Sequence, residues 1–100
     1  MSVKAELKGT ELVIYVDGVF DITTYEAFNN SYKPYLDQAR SYVIDFRGAT
    51  NIDSAALGLM LLLRQKAGAE DANISLINAN EAVKKVLKIA QFQQLFNIKD

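Results

Sequence analysis

The sequence contains no cysteine, no histidine and a single proline among its 100 residues. Without cysteine there is neither a disulfide framework nor a thiol nucleophile, which suits a reducing compartment. Without histidine the usual general base near neutral pH and the commonest metal ligand are both missing. A Ser-His-Asp triad cannot be built, and a metal would need an all-oxygen site. Charge of one sign is also lacking. Eleven Lys and Arg stand against twelve Asp and Glu, for a formal charge of −1. No basic run exceeds Lys84-Lys85, so the footprint of a nucleic-acid binder is absent. Long apolar runs are missing too. The longest, Leu59 to Leu63, is far short of the roughly 20 residues a membrane span needs. The stretch Met1-Ser2-Val3-Lys4-Ala5-Glu6 has no hydrophobic signal core. These absences lead us to expect a cytoplasmic protein that does not insert directly into a membrane.

What is present is enough apolar material for a core: half of the residues are hydrophobic and 23% are charged. This length and composition predict one domain spanning residues 1–100. Residues 4–7 and 11–16 read as strands joined across Lys8-Gly9-Thr10, with Asp17-Gly18 as a turn after them. Thr23 and Glu26 have capping-box spacing. They open a helix whose Tyr25, Phe28, Tyr32 and Leu36 form a core-facing stripe, kinked at Pro34. Tyr42-Val43-Ile44-Asp45-Phe46 has the content of a central strand, and residues 48–52 read as a loop. Asp53 or Ser54 caps a second helix that runs to about Ala67 and is stopped by Gly68. Residues 74–77 form the last expected strand. Asn80 caps a third helix with Val83, Val86, Leu87 and Ala90 on one face, and Phe92, Leu95, Phe96 and Ile98 suggest a final turn packed on the core. The order predicts an α/β fold, with helices packed on a mixed four-stranded sheet that is mostly parallel after its first hairpin.

In open α/β sheets, ligands and partners meet the carboxyl ends of strands. Two segments should converge there, Val19-Phe20-Asp21-Ile22 and Ala49-Thr50-Asn51-Ile52-Asp53-Ser54. At ~100° per residue, Ser54, Gly58, Leu61 and Gln65 share one face of the second helix, flanked by Leu57 and Leu62. The opposite face carries Ala56, Leu59, Met60, Leu63 and Ala67. With neither Gly nor Gln, it is the better face to pack on the sheet. That leaves Leu61 in line with Ser54 on the solvent side, with Leu57 at its margin, and Gly58 between them lets another chain approach closely. A hydroxyl beside a small apolar strip is how a modest protein interface looks. On spacing alone, Ser54 and Asp53 equally read as ordinary N-caps, Asp21 as a strand end and Thr50 as a loop residue.

The run Asp45-Phe46-Arg47-Gly48-Ala49-Thr50-Asn51-Ile52-Asp53-Ser54-Ala55-Ala56-Leu57-Gly58 resembles the signature of the STAS domain, the family of sulfate-transporter domains and anti-sigma factor antagonists. That family's pattern is an apolar strand, a loop, then Asp-Ser-Ser-Gly-Leu-Gly opening a helix. Gly18-Val19-Phe20-Asp21, Ala67-Gly68 and the strand at Ile74 also fall where the family has theirs. Ala55 and Ala56 stand here where antagonists usually have Ser-Gly. The resemblance implies a bacterial partner-switching regulator of transcription. By the same resemblance, the serine directly after Asp, here Ser54, would be phosphorylated by an anti-sigma factor or serine kinase-like partner and dephosphorylated by a serine phosphatase, and the unmodified form would bind. The partner-binding set expected from helix geometry and resemblance together is Asp21, Asp53, Ser54, Leu57, Gly58 and Leu61. A second function fits the same pattern: an accessory subunit of an ABC-type lipid transporter, unphosphorylated, docking the helix on an ATPase. A third, an enzyme using Asp21, Asp53 and Ser54, lacks histidine, a Walker-type phosphate loop and a basic residue in the motif to hold an anion. We therefore expect no catalysis, no metal and no cofactor.

Overall fold

Alternation of side chains along the first twenty residues builds an antiparallel hairpin, β1 (Ser2–Lys8) and β2 (Glu11–Phe20), in register from Ser2 opposite Asp17 to Lys8 opposite Glu11. The computed structural model describes residues 2–99; Met1 and Asp100, the ends of the expected 1–100 domain, lie outside the described residues. A single turn of 3₁₀ helix (Ile22–Thr24) leads into α1 (Tyr25–Tyr32), and another (Lys33–Tyr35) follows it, with Pro34 in its first turn. Then come β3 (Ser41–Asp45), β4 (Ala49–Ile52), α2 (Ser54–Lys66), β5 (Ile74–Ile77), α3 (Glu81–Ile89) and β6 (Asn97–Lys99).

The sheet runs β1-β2-β3-β5-β6, with β4 paired to β2 off that path; every pairing after the hairpin is parallel. The sheet is thus mixed as expected, but six-stranded and not four-stranded. Both additional strands come from segments that read as irregular. Asp17-Gly18 does not turn the chain. Gly18 adopts φ 82°, a left-handed conformation that glycine takes without steric cost, and the register shifts between Gly18 and Val19. Consecutive Gly18 and Val19 oppose Ala49 and Asn51, so the bulged residue is Thr50 of β4, while β2 pairs with β3 along its first half and with β4 along its last residues. The Gly18 N–H bonds the Gly48 carbonyl at 2.8 Å across that junction. β6 forms where only a final turn was expected, after a 3₁₀ turn over Phe92–Gln94.

Side-chain parity decides which face is covered. Leu12, Ile14 and Val16 of β2, Tyr42 and Ile44 of β3, and Ile74 and Leu76 of β5 are buried in one cluster with Phe28 and Tyr32 of α1, Ala56, Leu59, Met60 and Leu63 of α2, and Val83 and Leu87 of α3. Glu11, Tyr15, Asp17 and Asp45 alternate to the other side and retain exposure. Four aromatic rings occupy one part of the core: Phe20 lies 5.0 Å from Phe28 and 6.5 Å from Phe46, and Phe28 lies 5.7 Å from Tyr32. The Tyr32 hydroxyl donates to Asn29 Oδ1 at 3.0 Å, and burial pushes its phenol above the ordinary tyrosine range. Tyr25, placed in the core stripe from its spacing, is instead 48% exposed, because α1 is short and Tyr25 is its first residue.

The third helix is tied down at its start. Asn80 Oδ1 accepts from the Val83 N–H at 2.8 Å, while its Nδ2 donates to the carbonyls of Ala49 and Thr50 at 3.2 and 3.3 Å. One side chain therefore caps α3 and anchors β4. Asn80→Ala should cost about 1–2 kcal/mol. That is a fall of roughly 4–16 °C in thermal midpoint for a domain of this size. Asn80→Asp keeps the cap acceptor but loses both donors, and should recover only part of the loss in the same thermal scan.

Candidate functional site

The segment between β4 and α2 is held from two sides. The Asp53 N–H donates to the Phe20 carbonyl at 3.3 Å, so the end of β2 and the start of α2 are directly joined and Asp21 follows at once. The Asp53 carboxylate accepts from the Ala56 N–H at 3.1 Å, and the Leu57 N–H bonds the Asp53 carbonyl at 3.2 Å. Asp53 has extended backbone angles, φ −125° and ψ −174°, as an N-cap should. The choice left open by spacing is thus settled in favour of Asp53. Ser54 is the first residue of the helix, exposed, and among the described residues its hydroxyl has no hydrogen-bond partner. The backbone amides at such a helix start lie ahead of the first i→i−4 bond and carry partial positive charge.

Asp21 does a parallel task beside it. Its carboxylate accepts from both the backbone amide and the hydroxyl of Thr23, and so starts the 3₁₀ turn. The expected Thr23–Glu26 capping box does not form. Thr24 holds the N-cap position of α1, and its hydroxyl donates to the Asp21 carbonyl at 2.6 Å instead of capping the helix. Asp21 and Asp53 therefore have structural duties that fix two neighbouring chain entries, whereas Ser54 has none.

The two faces of α2 fall as the helical wheel expects. Ala56, Leu59, Met60 and Leu63 are buried. Ser54, Gly58 and Gln65 are exposed, Leu57 and Leu62 half-buried, and Leu61 is 40% exposed. A Cβ built on Gly58 would meet nothing within 4 Å. At ~1.5 Å rise per residue, Leu61 lies about 10 Å along the axis from Ser54, so the strip is two turns long. Gln65 continues that face beyond Leu61, and the neighbouring Arg64 is half-buried, with its Nε buried and unpartnered among the described residues.

Two apolar side chains at this end of the sheet were not singled out from the sequence. Val19 is 48% exposed and Ile22 is 61% exposed, flanking Asp21 on the chain. Val19 faces Asn51 across the β2–β4 pairing, two residues before Asp53. Their signal was the β2 extension itself: read as a loop, Val19 has no defined direction.

A family model described as "Mlab, STAS domain" matches residues 3–97. The chain belongs to the STAS domain family. A STAS-domain containing protein of Pseudomonas aeruginosa (strain UCBPP-PA14), PA14_20770, is 47% identical over 90 residues, covering 90% of this chain and 89% of that one. Among solved structures, an anti-sigma factor antagonist from Mycobacterium paratuberculosis superposes with a TM-score of 0.81 at 18% identity, over 97% of this chain and 83% of that one. The Bacillus cell fate determinant SpoIIAA, in its phosphorylated form, gives 0.75 at 17% identity, over 99% and 92%. At these identities the two structures establish a shared STAS fold. Among the described residues no helix is long and apolar enough to cross a membrane, and no group of three or more acidic side chains could hold a metal ion.

The division of labour between the neighbouring residues gives a stability test. Asp53→Ala should cost about 1 kcal/mol through the lost cap, whereas Ser54→Ala should stay within about 0.5 kcal/mol of the parent. Denaturant unfolding of both variants checks this, and equal losses would mean that the serine shares the capping.

Proposed function

We propose that this STAS domain is a phospho-switchable binding protein, akin to an anti-sigma factor antagonist in a bacterial partner-switching pathway. In this reading Ser54 is the phosphoacceptor and the exposed α2 strip is the partner's docking face. The observation that carries it is that Asp53 makes the helix cap, leaving Ser54 exposed with an unbonded hydroxyl. A serine needed for capping could not be modified without cost to the fold; this one can.

The contact set is Asp21, Asp53, Ser54, Leu57, Gly58 and Leu61, with Val19 and Ile22 added by their exposure. Phosphorylation would bring a charge of about −1.5 to −2 to the head of that strip. The helix start stabilises it by ~0.3–1 kcal/mol when exposed, against repulsion from Asp53 and Asp21. The fold is nearly indifferent, but a partner burying Leu61 must now desolvate a dianion, which is strongly unfavourable. The enzymes acting on Ser54 would be a serine kinase-like anti-sigma factor and a serine phosphatase, and the setting would be the cytoplasm.

Incubation with a co-encoded kinase and ATP, followed by mass spectrometry, should place one phosphate on Ser54. Partner binding, measured by calorimetry, should survive Ser54→Ala and fall at least tenfold with Ser54→Asp or Leu61→Glu, while the thermal midpoint of Leu61→Glu stays near the parent's. Gly58→Ala should raise stability by about 0.5–1 kcal/mol and yet weaken binding, since the methyl fills the flat spot. Equal binding by Ser54→Ala and Ser54→Asp would overturn the switch and leave a constitutive docking face, as in an accessory subunit of an ABC-type lipid transporter.

A further inference from the structure

The sheet ends in two outer edges that differ in length. β6 has three residues, Asn97–Lys99, and pairs only with β5. β1 has seven, Ser2–Lys8, in unbroken register with β2, and meets no strand on its other side among the described residues. Edges are ordinarily blunted by shortness, proline, a bulge or repelling charge. β1 has no proline and no bulge, and its charges alternate in sign, Lys4, Glu6, Lys8. The backbone groups it leaves open follow from β2. The Thr10 carbonyl accepts from the Arg40 and Ser41 amides at 2.7 and 3.3 Å, the Gly18 N–H bonds the Gly48 carbonyl, and the Phe20 carbonyl takes the Asp53 amide. Even-numbered residues here turn their backbone groups toward β3 and β4, so odd-numbered ones turn theirs toward β1. Ser2, Lys4, Glu6 and Lys8 stand opposite those odd residues and bond them. The N–H and C=O groups of Val3, Ala5 and Leu7 therefore point away from the sheet. Their side chains lie half-buried on the helix side, whereas Lys4, Glu6 and Lys8 stand exposed on the open face.

We propose that β1 pairs antiparallel with β1 of a second copy of this chain, about a two-fold axis at Ala5, so that two sheets become one. Residues of β1 with outward backbone groups must oppose one another, and a slip of one residue sets apolar side chains against charged ones. Centred on Ala5, all seven residues pair. Lys4 faces Glu6 and Glu6 faces Lys4 on the open face, while Val3 faces Leu7 and Leu7 faces Val3 on the helix side. The outward groups then make roughly six backbone hydrogen bonds. A slip of two residues one way sets Lys4 against Lys4; the other way it sets Glu6 against Glu6 and Lys4 against Lys8. Opposite charges directly across a pair stabilise it and like charges destabilise it, so the charge order selects both the occupant and the register. Glu6 already meets Lys8 of its own chain at 3.4 Å, and its carboxylate comes to lie between two lysines. The edge shares no residue with the Ser54 strip, so the two surfaces can be tested apart.

Sedimentation equilibrium of the 100-residue protein should show a monomer–dimer equilibrium that shifts with concentration. Lys4→Glu or Glu6→Lys alone turns two attractive pairs into two repulsive ones and should weaken dimerisation about tenfold. Combining Lys4→Glu with Glu6→Lys restores opposite charges and should recover the parent's affinity. A mixture of the two single variants should associate more tightly than either alone. The thermal midpoint of each, taken at a concentration where all are monomeric, should match the parent's. Raising the concentration of ¹⁵N-labelled protein should slow exchange of the Val3, Ala5 and Leu7 amides, while those of Lys4 and Glu6, bonded to β2, stay protected throughout. Ala5→Pro removes an outward N–H without breaking a bond to β2, and should abolish the dimer. A monomer at millimolar concentration, slowed exchange at β6 in place of β1, or a double variant as weak as the single ones would overturn the proposal.

Discussion

Strand β2 is shared between two neighbours, β3 along its first half and β4 along its second, with Gly18, in a left-handed conformation, at the changeover, and the site depends on this continuation of β2 past Asp17. Without it the chain would leave the sheet at Asp17, as the Asp-Gly pair suggests, and Phe20 would not lie beside the end of β4. With it, the Phe20 carbonyl takes the Asp53 amide, and the Asp53 carboxylate is then placed to cap α2. Burial reinforces the same arrangement: Phe20 and Ile52, opposite each other, are both in the core. The position of Ser54 is therefore set by groups that do not include its own hydroxyl.

That separation is what a switch requires. A modification that also controlled folding would trade signal against stability in a domain stabilised by only about 5–15 kcal/mol. Here the capping acceptor and the exposed hydroxyl proposed for modification belong to adjacent residues. In the proposed switch the helix start would tolerate added negative charge, while the adjoining Leu57 and Leu61 would lose their suitability for burial by a partner once a hydrated dianion stood at their head. Ala56 in place of the family's usual glycine fits the local geometry: the residue is helical and buried, and its amide serves the cap. Under the proposed function, stability and recognition would thus use different atoms of one short segment.

Much of this could be read from the chain. The α2 faces followed from spacing alone, because Leu59, Met60 and Leu63 repeat at helical intervals and the interruptions by Gly58 and Gln65 fall on the other side. Asn80 as the cap of α3 was equally legible. The misreadings share a cause: each was a short segment whose structure is imposed by a neighbour. Ala49-Thr50-Asn51-Ile52 has little strand character of its own and becomes β4 by pairing with β2 and by the Asn80 bonds. Asn97-Ile98-Lys99 becomes β6 by pairing with β5. Asp17-Gly18 carries the composition of a turn, and only the pairing partner beyond it keeps the strand running. Thr23 and Glu26 have the spacing of a capping box, but Asp21 claims the Thr23 hydroxyl first.

The central claim is that a charge at Ser54 changes recognition without changing the fold, and incorporation of phosphoserine at position 54 tests it most directly. Thermal unfolding and partner affinity would be measured on the same modified sample. The account predicts a thermal midpoint within a few degrees of the unmodified protein, since an exposed helix-start charge is worth under about 1 kcal/mol, together with an affinity at least tenfold weaker. Unchanged affinity, or a collapse of the thermal transition, would contradict it.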